Sequence, residues 1–303
     1  MAIAFSLQDQ YSLPMEEVIP LLREAGFSAV SPAYTCAMPL SQMMDITKSL
    51  DMKVQSLHGP SRGVTPLWEK DAGGVRDVIV QCIHTCARFQ IPTLVLHCWQ
   101  GFSYTFREEL LYFDHFDQIV TLAQESGITL AFENLEGEEF LSALMARYRE
   151  CSHVAYCYDS GHANCYPHKL DFLAEFGDRL IMTHLNDNLG LRDPQGLPST
   201  RDDLHYLPFD GNVDWAQEVR RLQNARKVEI LNFEFKYKSK APGDHIYEKM
   251  PLPQYFAEAG KRAKQIAKSS EDAEKDEREK MQSFAEKNME KAARFIIEEL
   301  KRQ

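Results

Sequence analysis

The feature that most constrains this chain is a rhythm. Short runs of apolar and β-branched residues alternate with amphipathic segments, and most of the runs end on a carboxylate or an imidazole. Candidate strands cover 3–7, 27–31, 53–58, 92–98, 128–133, 153–158, 179–185 and 228–235, and helical spacing recurs near 14–25, 39–50, 71–90, 106–126, 138–149, 167–176 and 214–224. Eight strands with helices between them predict an α/β fold in which a parallel sheet closes into a (β/α)8 TIM barrel. Local signals agree. Val18, Leu21, Leu22 and Ala25 recur on one face of the first helix, Glu16, Glu17 and Arg23 on the other, and Gly26 stops it. Asp214, with Gln217 three residues on, reads as an N-cap for the helix that follows.

In such a barrel the C-terminal ends of the strands build the active site. From the third strand to the eighth those ends read His58, His97, Glu133, Asp159, His184 and Glu234. Charged groups that converge in a barrel mouth need a cation or a partner, and a divalent metal is the economical one. Two Glu, one Asp and one His (Glu133, Glu234, Asp159, His184) suit Mn²⁺ or Zn²⁺ first, then Co²⁺ or Mg²⁺, with positions left open for substrate oxygens. His162 follows Asp159 across Ser-Gly, a sequence that reads as a turn in which the two side chains diverge, so His162 is assigned to substrate or to a second ion. Asp203 and His205 are two apart and share a face of extended backbone, which suits a further ion or a loop-ordering ion pair. They lie in 186–213, a loop rich in Asp, Pro and Gly and long enough to be functional. Trp68, Trp99 and Phe102 follow the third and fourth strands and are candidates for apolar pocket walls. Lys236 and Lys238 could meet a substrate phosphate, with solvated surface lysines as the commoner case.

The formal net charge of −11 gives no general attraction to a phosphate backbone, so nucleic acid is not an expected partner. The longest apolar runs fall far short of the roughly 20 residues a membrane span needs, and the N-terminus does not read as a secretory signal. Seven scattered cysteines with no Cys-x-x-Cys pair suit reduced thiols and a cytoplasmic location. No Walker-type loop, Rossmann glycine fingerprint or Gly-x-Ser-x-Gly elbow is present. The expected domain is 1–268, followed by a helical extension, 269–303. In that extension Met281, Phe284, Asn288, Ala292, Phe295, Ile296 and Leu300 repeat at three- and four-residue steps. Such an amphipathic helix either packs on the outside of the barrel or makes a homo-oligomer contact.

Several stretches resemble the xylose isomerase-like barrel superfamily, and within it the sugar phosphate isomerase/epimerase group. They are Phe-Glu133-Asn, Tyr-Asp159-Ser-Gly-His162-Ala-Asn, His184-Leu-Asn-Asp187-Asn, His205-Tyr-Leu-Pro-Phe-Asp-Gly-Asn-Val-Asp-Trp and Phe-Glu234, and the resemblance spans about 1–265. It implies that Glu133, Asp159, His184 and Glu234 hold one divalent ion and that Glu133 and Glu234 also act as acid and base on a small sugar or sugar phosphate. Chemistry agrees with that implication. Aldose–ketose interconversion and epimerisation both remove a proton beside a carbonyl, a metal stabilises the enediolate, and a carboxylate takes the proton. The chain is also similar to the type IV apurinic endonucleases at His58, His97, Glu133, Asp159, His162, His184, Asp203, His205 and Glu234, which implies room for additional ions. It departs from them after Asn134, where Leu-Glu-Gly-Glu-Glu follows. A lyase, dehydratase or deglycosylating subunit on the same barrel, and a sugar-binding protein without activity, are the remaining alternatives.

Overall fold

Among the described residues nine parallel-paired strands carry the eight-stranded rhythm: β1 (Ala2–Leu7), β2 (Ala29–Pro32), β3 (Lys53–Val54), β4 (Leu57–His58), β5 (Thr93–Leu96), β6 (Thr129–Glu133), β7 (Val154–Asp159), β8 (Leu180–His184) and β9 (Ile230–Phe233). In this computed structural model the described residues are all but 9–10, 194–196, 239–243, 245 and 303, and the side chains of 277, 281, 283–284, 287–288 and 290–303 also lie outside the description. Two runs form, β3-β2-β1-β9 and β4-β5-β6-β7-β8. Single parallel bridges, Ala33 with His58 and Leu185 with Phe233, join them into a closed ring. The α/β barrel expected from the alternation is therefore the observed fold.

The strand expected at 53–58 is split. Lys53 and Gln55 donate their N–H groups to Ser28 and Val30 on the β2 side, whereas the Gly59 N–H goes to Val95 in β5. Within six residues the chain changes neighbour, so one predicted strand becomes the end of one sheet run and the start of the next.

Among the described residues the helices are α1 (Met15–Ala25), α2 (Leu40–Ser49), α3 (Val75–Phe89), α4 (Asp114–Glu125), α5 (Glu138–Arg147), α6 (Ser160–Cys165), α7 (Phe172–Phe176), α8 (Trp215–Gln223) and α9 (Leu252–Arg302). Helix α1 buries Met15, Val18, Ile19 and Leu22 and ends at Gly26, whose φ of 97° lets its N–H return to the Arg23 carbonyl. Asp214 does cap α8, its Oδ1 accepting the Gln217 N–H at 2.9 Å. Helix α6 corrects the loop expected after Asp159: the Asp159 side chain caps a short helix instead.

Helix α9 runs unbroken across 268/269, so no change of secondary structure marks that point. Its first half buries Leu252, Tyr255, Phe256, Ala259, Ala263, Ile266 and Ala267 against α1, α8 and β1. That stripe repeats every three or four residues, which is why a helix forms there. The side chains of Met281, Phe284, Asn288, Ala292, Phe295, Ile296 and Leu300 lie outside those described. At the base of α9, Phe256 and Phe5 meet edge to face at 5.8 Å, and Phe5 touches Phe27 and Phe235 in the same way at 5.2 and 5.9 Å.

Because Phe256 closes this aromatic cluster with no exposed surface, Phe256→Ala is expected to cost about 3–5 kcal/mol of unfolding free energy. Urea denaturation measures it. A loss under about 1 kcal/mol would mean that the start of α9 is not part of the barrel core.

Candidate active site and metal centre

The strand ends predicted to carry chemistry converge on one cavity of about 380 Å³, lined by His58, His97, Glu133, His162, His184, Asp203, His205, Glu234 and Lys236 among others. Asp159 lies just beneath it, fully buried. Strand alternation explains the delivery: Glu133, Asp159 and His184 close β6, β7 and β8, and Glu234 comes one residue past β9.

Among the described residues three groups of donors adjoin, besides Glu133 and His184 with Cys157. One ligand atom each from Glu133, Asp159, His184 and Glu234 lie within 4.8 Å of one another. His184 Nδ1 stands 3.1 Å from Glu133 Oε1 and 3.0 Å from Glu234 Oε2. On the other side of Glu133, His58 Nε2 and His97 Nε2 approach Oε2 at 3.3 and 3.2 Å. The third group is His162, Asp203 and His205, with His205 Nε2 at 2.6 Å and His162 Nε2 at 3.6 Å from Asp203 Oδ2.

Backbone carbonyls fix the direction of four of these rings. Nδ1 of His58, His97, His162 and His205 meets the carbonyl of Gly59, Ser61, Asn134 and Glu234 at 2.9, 3.2, 2.9 and 2.9 Å. A carbonyl only accepts, so each Nδ1 donates to its carbonyl and each ring turns its Nε2 toward a carboxylate. Lone pair facing carboxylate is repulsive unless a proton or a metal ion lies between them. Among the described residues Glu133 Oε1, His184 Nδ1 and Asp203 Oδ1 are buried with no hydrogen-bond partner. This donor set fits divalent cations, and ring N–H to carbonyl is the usual way a ligating histidine is oriented.

Electrostatics agree. Burial raises Asp159 to about 8, His162 partly offsetting it and Glu133, Asp203 and Glu234 adding to it. Burial also pushes Glu133 upward, but His184, His162 and His58 outweigh it and hold that carboxyl well below its usual range. For Glu234 the same contest against His184 and His205 ends at about 2. Burial lowers His162 and His184, yet the surrounding carboxylates lift the first, and Cys157, Glu133 and Glu234 the second, well above the ordinary imidazole value.

An amide layer holds the carboxylates. Asn186 Nδ2 donates to Asp159 Oδ1 and Oδ2 at 3.1 and 3.0 Å. The Asn134 side chain brackets the Asp159 backbone, donating to its carbonyl and accepting its N–H, both at 2.8 Å. Gly161 is required here, since a Cβ would collide with the Asn186 side chain. Asp187 organises the loop that returns Asp203 and His205. Its Oδ1 accepts the N–H groups of Asn188 and Val213, and its Oδ2 those of Phe209 and the Trp215 indole, at 2.9 to 3.0 Å. Asn134, Asn186 and Asp187 were given no role by the sequence reading, although each sits one to three residues past a strand-end ligand.

Several expectations need correction. His162 does not diverge from Asp159: the Asp159 cap on the His162 N–H, at 2.7 Å, turns α6 so that both face the site. Asp203 and His205 do meet, but not on extended backbone, because His205 has φ 51°, a left-handed conformation uncommon for histidine. Trp68, Trp99 and Phe102 are not among the residues lining the cavity. The Trp68 indole donates to the Cys98 carbonyl and packs on Phe116 and Phe140, Trp99 stacks on Phe140 at 3.8 Å, and Phe102 lies behind Tyr166, which itself stacks on His162. Trp68 and Trp99 thus fill the layer between strands and helices. Lys236 is only 6% exposed rather than a surface residue, and it lines the cavity. Lys238 is exposed.

Residues 19–266 match the family described as xylose isomerase-like TIM barrel, and the chain belongs to that family. It is 28% identical over 269 residues to the uncharacterized protein y4fM of Sinorhizobium fredii, covering 74% of this chain and 82% of that one. Similar solved structures include a D-tagatose 3-epimerase-like protein with 18% identity and TM-score 0.64, covering 91% of this chain and 99% of the other. An IOLI protein with a bound zinc atom has 14% identity and TM-score 0.67 over 89% and 98%. An L-ribulose 3-epimerase has 14% identity and TM-score 0.67 over 93% and 98%. At these identities the likeness is one of fold. No helix of the described residues is long and apolar enough to cross a membrane.

Two outcomes are expected from this geometry. In metal-free protein the folded-state values of Asp159, His162 and His184 lie above their ordinary ones. The native state therefore binds more protons than the unfolded chain, and stability falls as pH rises from about 6 to about 8. A divalent ion replaces those protons, so thermal melting with saturating Mn²⁺ or Zn²⁺ should lose that decline; an identical pH profile with and without metal would contradict the fit. Asp187→Asn leaves one carboxylate oxygen's worth of N–H donors without an acceptor. It should cost about 1–3 kcal/mol and speed amide exchange in 203–213, and unchanged exchange there would remove Asp187 from its organising role.

Proposed function

We propose that this chain is a divalent-metal-dependent isomerase or epimerase of a small sugar, working by proton transfer at the carbon beside a carbonyl. The observation that carries this reading is the convergence of Glu133 and Glu234 on one ring nitrogen of His184, at 3.1 and 3.0 Å, at the edge of a cavity that both line. Sugar epimerases of similar fold, and the zinc-bearing IOLI protein, support it.

Glu133, Asp159, His184 and Glu234 would hold the ion, which supplies positive charge to the sugar's carbonyl and hydroxyl oxygens and so acidifies the neighbouring C–H. Glu234 is ionised and partly open to the cavity, with Gln8 donating to its Oε1 at 2.9 Å. It takes the proton. Glu133 is enclosed by His58, His97, His162 and His184, and His184, His162 and His58 hold it ionised. A carboxylate on each side of the reacting carbon allows removal on one face and return on the other. The cavity of about 380 Å³ suits a molecule the size of a monosaccharide.

One observation favours a second reading. Three adjoining donor groups, with Glu133 between two of them, would also suit several ions and metal-assisted cleavage of a phosphodiester. The net charge of −11 weighs against a DNA substrate.

A panel of ketoses and aldoses incubated in D₂O separates the two. Metal-dependent deuterium uptake beside the carbonyl is expected, falling by at least about 100-fold in Glu234→Gln. Metal-dependent incision of abasic DNA, with no exchange in any sugar, would replace the first reading by the second.

A further inference from the structure

Lys236 stands in an alternating run, Phe233-Glu234-Phe235-Lys236-Tyr237. Phe233, Phe235 and Tyr237 turn into the core, while Glu234 and Lys236 line the cavity. Backbone bonds fix this alternation beyond the end of β9: the Glu234 N–H donates to Leu185 at 3.1 Å and the Lys236 N–H to His205 at 2.9 Å. The Lys236 stem is enclosed, yet its Nζ makes no hydrogen bond among the described residues. Its ion pair is with Asp203 Oδ2, at 3.6 Å. That same oxygen also faces His205 Nε2 at 2.6 Å. An ammonium carries three donors, and burying it without acceptors is costly. The open direction is the cavity.

Arg62 lines the same cavity from its exposed rim, and its guanidinium makes no ion pair among the described residues. Neutral groups that would serve sugar hydroxyls are present as well: Gln8, Gln100, Thr35 and Thr200. In a chain of net charge −11 two cations facing one small cavity are not a by-product of a basic surface.

We propose that Lys236 is a specificity-determining residue that holds an ionised substituent of the substrate, a phosphate or a carboxylate, with Arg62 assisting at the rim. The inference deepens the reading of the site as a sugar isomerase or epimerase and rests on it only for the sugar part of the ligand. An anion supplies the acceptors that Nζ lacks, and a charge-assisted hydrogen bond is stronger than one to a hydroxyl. The two anion sources share this chemistry, and matched probes tell them apart.

The test is calorimetric titration of the full-length, metal-loaded protein with sorbitol, gluconate and sorbitol 6-phosphate. These share a six-carbon chain, differ in charge and have no carbonyl to react. Gluconate or sorbitol 6-phosphate is expected to bind at least about tenfold tighter than sorbitol, and whichever does names the substituent. Lys236→Met and Lys236→Gln should each remove that preference, Lys236→Arg should keep most of it, and Arg62→Gln should reduce it by a smaller factor. Equal binding of the three probes by the parent protein would overturn the proposal. So would a preference that survives Lys236→Met, which would trace it to the metal. Equal weakening of sorbitol and the anions would make Lys236 a counterion for Asp203 alone. If no sugar exchanges deuterium, the isomerase reading fails while these titrations still decide the role of Lys236.

Discussion

The rest of this structure depends on placing Glu133, Asp159, Asp203 and Glu234 together in the mouth of a barrel. Four carboxylates this close and this buried repel one another, and water cannot screen them as it does at a surface. The surrounding chain is arranged to make their proximity tolerable. Imidazole rings stand between them, and backbone carbonyls hold the N–H of four rings so that each Nε2 faces inward. Under the proposed reading a divalent cation among them offsets that repulsion and would polarise a sugar that shares it.

The barrel is suited to this because its parallel strands all end at one rim, where no ladder partner is needed beyond the last residue. The cost is that the loops must be held with equal care. Asp187 does this for the longest of them, gathering four N–H donors on one carboxylate, and Asn134 and Asn186 do it for Asp159. These residues do not line the cavity, yet the positions of His162, Asp203 and His205 follow from them. The left-handed backbone at His205 is the local cost of bringing its ring to Asp203 while its Nδ1 meets Glu234. Away from the mouth, α9 seals the barrel with a stripe of small and aromatic residues that reaches Phe5 in β1.

Much of this was legible in the sequence. Periodicities of two and of about 3.6 residues mark strands and helices by physics that needs no tertiary partner, and a strand followed by a helix returns the next strand parallel. The barrel and the rim positions of His58, His97, Glu133, Asp159, His184 and Glu234 follow directly. What the sequence could not hold was direction and distance. Whether Trp68, Trp99 and Phe102 face the cavity depends on how the loops after β4 and β5 fold; Trp68 and Trp99 pack on Phe140 of α5, and Phe102 packs on Tyr166. Whether Lys236 is solvated depends on a hydrogen bond to His205, thirty-one positions earlier in the chain. The split of 53–58 depends on which neighbour each half meets.

The sequence by itself determined the class of fold, the rim on which chemistry collects and the kinds of donor found there, because each is a property of spacing and side-chain type. Only the tertiary structure decided that the donors form adjoining groups, two of which share Glu133 while His162, Asp203 and His205 make another, that His162 faces the same site as Asp159, and that a lysine and an arginine line the cavity they border. Those are relations between residues far apart in the chain, set by loop conformation and by hydrogen bonds that close only when the barrel does.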